Sequence, residues 1–128
     1  MIVEQIGTQP TLANGSRVPL SPAIRAGDFL FVSGQLGLGD DGKVVSDNVA
    51  EQARQALRRI QSVLEEGGSD LGRIVKASIW LTNAEDFPEV NAVWAEVFSG
   101  RPPARSTVLS GLLIPGARIE IDAIALVD

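Results

Sequence analysis

Apolar positions recur along the chain in two rhythms, one of helices and one of strands. Val49, Ala53, Leu57, Ile60 and Leu64, with Ala50 and Val63 beside them, recur every three to four residues and predict an amphipathic helix. Ser46, Asp47 or Asn48 can cap its start, Glu51 sits in its first turn, and Gly67-Gly68 supplies the stop. Residues 73–82, RIVKASIWLT, alternate instead. Val75, Ala77, Ile79 and Leu81 take one side and Lys76, Ser78 and Trp80 the other, which is the period of a strand. Helical spacing returns with Phe87, Val90, Trp94 and Val97, joined by Phe98. Thr82 and Glu85 have capping-box spacing at its start, and Gly100 with Pro102-Pro103 closes it.

Residues 28–36, DFLFVSGQL, form an apolar run between Gly27 and Gly37 and predict a buried strand. Residues 2–6 predict a short first strand, 7–27 a loop rich in Gly, Pro, Ser and Asn, 39–43 (GDDGK) a turn, and 104–110 and 117–127 two closing strands. GLLIPGA, which joins those two, is too apolar for an ordinary exposed loop. The order is strand, strand, helix, strand, helix, strand, strand, in a single domain of 128 residues.

Two helices can cover only one face of such a sheet. In the last strand Ile119, Ile121, Ala123 and Ala125 share one side, but Ile124 and Leu126 join Arg118, Glu120 and Asp122 on the other. Trp80 and Leu109 are likewise expected to point away from the helices. A second half-apolar face needs a cover that this chain has no residues left to provide, which predicts an oligomer. Scattered surface apolar residues are the alternative.

Composition narrows the chemistry. The chain has no histidine and no cysteine. Disulfides, thiolate catalysis and the commonest general base are therefore absent, and no metal site of the usual zinc kind is expected. The net charge is −5, and the densest basic spot, ALRR at 56–59, lies on a helix among acids, which argues against broad nucleic-acid binding. No apolar run approaches the roughly 20 residues that cross a bilayer. MIVEQIGTQP lacks the pattern of a secretory signal, so a cytoplasmic location away from membranes is expected.

Arg105, in the small and apolar strand PARSTVL, has two explanations: an ion pair with Glu120 or Asp122 across the sheet, or a fork for a substrate carboxylate. The two closing strands are expected to be neighbours. In an odd-sum antiparallel register Arg105 lies near Asp122 and Thr107 near Glu120, all on the face away from the helices; a one-residue slip separates them. If a neighbouring subunit closes that face, Arg105, Glu120 and a hydroxyl from Ser33 or Thr107 can grip a small carboxylate and hold one water. Glu120 is then the group available to take a proton from that water. Its ordinary pKa is about 4.3, and burial raises it. So weak a base suits an electrophile that is already reactive.

FVSGQLGL (31–38), EQARQAL (51–57), VKASIWLTNAEDFPEVN (75–91), PARSTV (103–108) and IEIDAIAL (119–126) resemble, in order and spacing, the Rid/YjgF family of enamine/imine deaminases. The most specific element is PARSTV followed by the glutamate of IEIDAIA. The resemblance implies an α+β, chorismate-mutase-like mixed sheet with two helices packed on one face, and a homotrimer with a central β-barrel and small-molecule sites between subunits. It implies hydrolysis of reactive 2-imino acids and their enamines to 2-keto acids and ammonia, a detoxification that uses no cofactor. On the matching positions, Arg105 would bind the substrate carboxylate and Glu120 would position or activate water. Ser33, Gly34, Asn91 and Thr107 would line the cleft, Thr107 standing where many members have cysteine. Leu20 and Pro22 depart from the family's Tyr and Gln, which implies a more apolar cleft and leaves the substrate open. Alternatives within the resemblance are a catabolic sibling acting on an aminomuconate-type compound and a non-catalytic binder of small carboxylates. Members described as ribonucleases fit this charge poorly.

Overall fold

The computed structural model describes residues 2–127. In chain order the elements are β1 (Val3–Ile6), β2 (Ala23–Ala26), β3 (Phe29–Leu36), α1 (Val49–Glu66), β4 (Ile74–Leu81), α2 (Phe87–Val97), β5 (Ala104–Leu109) and β6 (Ile119–Leu126). The strands form one mixed sheet in the order β1-β2-β3-β6-β4-β5, in which only β4 and β5 run parallel. Both helices follow from local chemistry. The Asn48 side chain accepts from the Glu51 N–H at 2.9 Å and caps α1. Asn83, rather than the expected Thr82, accepts from the Glu85 N–H at 2.9 Å and opens a 3₁₀ turn that leads into α2.

The strands depart from the sequence expectations in several places. The stretch 7–27 is not all loop: β2 pairs with β3 through a tight hairpin, Ala26 opposite Phe29, with Gly27 at φ 61° between them. In β4 a register shift after Ile74 puts Ile74 rather than Val75 in the core. The third departure matters most. β5 and β6 are not neighbours, because β4 lies between them. The β4–α2–β5 unit is a parallel crossover that sets β5 at the sheet edge. The most evenly alternating strand, β6, fills the centre between β3 and β4.

The helix-covered face carries the core. Leu30, Val32, Ala77, Ile79, Leu81, Ile119, Ile121, Ala123 and Ala125 pack there against Val49, Ala53, Leu57, Ile60, Leu64, Val90 and Trp94. The other face is open, as the alternation predicts. Phe29 and Phe31 are 40% and 45% exposed on it, beside Ile124, Leu126, Trp80 and Val108. Leu109 differs from its expectation: it pairs with Leu81 and so lies on the helix side, exposed only because the sheet ends there. Arg118 also turns toward the helices, where its guanidinium holds the Asp86 carboxylate at 2.6 and 3.2 Å and the Asp47 carbonyl at 2.7 Å. The fully buried Gln52 accepts from the Arg118 N–H and donates to the Ser46 and Gly116 carbonyls. The start of β6 is thus tied to the starts of both helices. In the connecting segment Ala117 is buried, but Leu113 is 99% exposed.

Candidate active site

Arg105 lies on β5 in register with the buried Ala77, so its side chain leaves the sheet on the helix side. There α2 receives it. Arg105 Nη2 donates to Asn91 Oδ1 at 2.7 Å, and the guanidinium carbon sits 5.3 Å from the Trp94 ring centre and 5.7 Å from that of Phe87. Two ring faces and one neutral acceptor hold the charge in place without neutralising it. No carboxylate among the described residues pairs with it, so neither expected ion pair, with Glu120 or with Asp122, forms. Burial lowers the Arg105 pKa from its ordinary value, yet a guanidinium stays protonated in proteins. Of its five N–H donors, most remain free to fork onto an anion. Thr107, two positions along the same side, is half-buried. Beside it lies an apolar cleft of ≈ 210 Å³, lined by Leu81, Ala84, Phe87, Thr107, Val108 and Leu109.

Glu120 stands on the opposite face. It lies on β6 between Leu36 of β3 and Trp80 of β4. Its carboxylate rests on the backbone of Gly34, in the irregular stretch between Val32 and Gln35; a Cβ at that position would overlap Glu120 Oε2. Glycine is needed here for close approach rather than for an unusual φ. Ser33 is turned to the preceding segment. Its Oγ donates to the Ser21 carbonyl at 2.6 Å and its N–H to the Pro22 carbonyl at 2.9 Å, which moors the stretch carrying Leu20 and Pro22 alongside β3. Burial, and secondarily the neighbouring Asp122, raise the Glu120 pKa above the usual carboxylate value. Asp122 is itself fixed by the Ser78 N–H at 3.0 Å. Among the described residues no hydrogen-bond donor engages the Glu120 carboxylate.

The expected site residues thus gather into two clusters, not one. Arg105, Asn91 and Thr107 meet at the sheet edge under α2. Gly34 and Glu120, with Ser33 and the Leu20 segment beside them, meet on the open face. The expected single-face cluster fails because β4 separates the two strands and because Arg105 and Glu120 have opposite parity across it. The ring supports Phe87 and Trp94 appear in the sequence only as members of a core stripe. Their spacing around Asn91, four residues before it and three after, was the available signal, since it puts all three side chains on one side of α2.

The family model described as Endoribonuclease L-PSP matches residues 11–127. The human protein named 2-iminobutanoate/2-iminopropanoate deaminase is 36% identical over 115 residues, 89% of this chain and 84% of its own length. Among solved structures, the YjgF gene product of E. coli superposes with a TM-score of 0.84 at 32% identity, covering 96% of this chain and 98% of that one. E. coli TdcF with bound serine superposes at 0.83 with 27% identity, covering 98% and 99%. Other relatives are named RutC family protein, and others again chloroplastic or mitochondrial, so kinship carries no compartment with it. No helix of the described residues is long and apolar enough to cross a membrane. With the fold shared over almost the whole chain and the family model spanning all but its ends, the protein is a member of the Rid/YjgF family.

Proposed function

We propose that this protein is a cofactor-independent deaminase that hydrolyses reactive 2-imino acids to 2-keto acids and ammonia, with each site shared between two protomers of a homotrimer. The observation that carries this reading is the unneutralised Arg105 guanidinium, held by Asn91, Phe87 and Trp94 with its remaining donors unused. An arginine prepared in this way suits a planar carboxylate. The names of two relatives, one for 2-imino acids and one with serine bound, support a small amino-acid-derived ligand. The name of the family model supports nucleic acid as substrate less well, since this chain has net charge −5 and no histidine.

One protomer cannot bring Arg105 and Glu120 together through its own sheet. If the β5 edge of one protomer meets the open face of the next, Arg105 and Thr107 of the first approach Glu120, Gly34 and Leu20 of the second. That packing also covers Phe29, Phe31 and Ile124, and three repeats close the open faces into a central barrel. In this site Arg105 holds the substrate carboxylate. Glu120 takes a proton from water as the water oxygen bonds to C2 of the protonated imine. The proton on Glu120 then passes to the nitrogen of the tetrahedral carbinolamine, which leaves as ammonia, while the C2 hydroxyl gives its own proton to the Glu120 carboxylate and becomes the ketone; that proton finally departs with the ammonia as ammonium. The electrophile is already activated, so a positioned base contributing about 10²–10⁴ in rate is sufficient.

Arg105→Ala and Glu120→Gln should each abolish ammonia release from 2-iminopropanoate and 2-iminobutanoate. Refolded together in equal amounts they should recover about one quarter of wild-type turnover, because each seam of a mixed trimer pairs an intact Arg105 with an intact Glu120 at roughly that frequency. Absence of recovery would sink the shared site, and absence of ammonia from the wild-type protein would sink the activity.

A further inference from the structure

We infer that the cleft beside Arg105 is a side-chain pocket that makes this chain select 2-imino acids with bulky apolar side chains, branched or aromatic, over the three- and four-carbon imino acids. The inference rests on the carboxylate-binding role of Arg105 proposed above. Its own support is the cleft's position, lining and size. Arg105, Thr107 and Leu109 follow one another on the same side of β5, in register with Ala77, Ile79 and Leu81. Each step is about 7 Å, so a ligand anchored by its carboxylate at Arg105 reaches the cleft with the substituent on its C2 carbon. The lining is Leu81, Ala84, Phe87, Val108 and Leu109, with Thr107 the one polar side chain and no charged group. Phe87 faces both places, since its ring meets the guanidinium and also forms a wall of the cleft. The volume of ≈ 210 Å³ is that of about seven waters at ~30 Å³ each, far more than a methyl or ethyl group fills. A short imino acid would leave water against apolar walls, whereas a larger one displaces it. The open rim is no obstacle, because the segment bearing Leu20, an apolar residue 36% exposed, would close it from the neighbouring protomer.

Binding of the product keto acids tests this without requiring turnover. Calorimetry on the assembled protein should show 4-methyl-2-oxopentanoate and phenylpyruvate bound roughly ten- to a hundredfold more tightly than 2-oxobutanoate. Ala84→Leu, which fills the cleft, should bring that ratio to near one while light scattering reports an unchanged mass. Should Ala84→Leu fail to assemble, Leu109→Asp, which sets a charge on the cleft wall, must produce the same collapse. Equal affinities, a preference for 2-oxobutanoate, or a ratio that survives the cleft variant would overturn the inference. Correct ranking without ammonia release would retire the deaminase and keep the pocket. Ammonia release with equal affinities would do the reverse.

Discussion

Arg105 and Glu120 belong to one sheet but are prepared in opposite ways. The guanidinium is finished within its own protomer, wedged between Trp94 and Phe87 and steadied by Asn91. The carboxylate rests on a glycine, receives no protein donor among the described residues, and faces a surface that leaves Phe29 and Phe31 in solvent. In the proposed reading the first group is a preorganised anion receptor, and the second is a partly desolvated base completed by a second surface. The difference teaches how much of the proposed site one protomer completes: α2 fixes the guanidinium on its own, whereas the proton transfer we propose for Glu120 would depend on assembly.

The sharpest way to break that contrast is Phe31→Asp. A charge in the middle of the open face should weaken association by at least ~30-fold and take activity to background while the far-ultraviolet spectrum of the folded protomer persists. A fully active monomer would show that Glu120 needs no cover. Next in size is Glu120→Gln, expected to lower kcat by about 10²–10⁴ with keto-acid affinity largely kept. Gly34→Ala should fall in the same direction without unfolding, because the atoms nearest its Cβ all belong to the movable Glu120 side chain, which it pushes aside. Steady-state kinetics and thermal melts on both variants check this, and a silent Gly34→Ala would mean that the carboxylate's resting place is irrelevant. Asn91→Ala removes one acceptor from a guanidinium still held by two rings. It should raise KM about 3- to 10-fold with kcat little changed, the size of one lost hydrogen bond. The smallest effect is electrostatic. Asp122 helps to raise the Glu120 pKa, so Asp122→Asn should lower it and move the acid limb of the pH–rate profile to lower pH. Burial is the larger cause and remains, so the displacement is small. A displacement to higher pH would contradict the sign.

Local pattern recovered both helices, because side chains three and four residues apart meet whatever surrounds them. It recovered β3, β4, β5 and β6 to within a residue or two for the same kind of reason. β2 was lost in a glycine- and proline-rich stretch, although Gly27-Asp28 between two short apolar segments is a hairpin signal. Thr82 lost the capping role to Asn83, one position nearer the turn it closes. The candidate site could be proposed from residue types, but its geometry could not be read from the sequence. Arg105 and Glu120 stood out as a cation in an apolar strand and an acid in a chain without histidine, but their relation depended on which strand lies between them.

Composition and periodicity settled the two helices, the half-apolar last strand and the short list of groups able to bind an anion or move a proton, because each of these is a property of neighbours along the chain. Strand order, the faces on which Arg105 and Glu120 emerge, and the embrace of the guanidinium by Phe87, Asn91 and Trp94 were decided only by the tertiary structure. Pairing between strands far apart in sequence is chosen by burial of the whole sheet, and inserting β4 between β5 and β6 carries two potential partners to opposite sides.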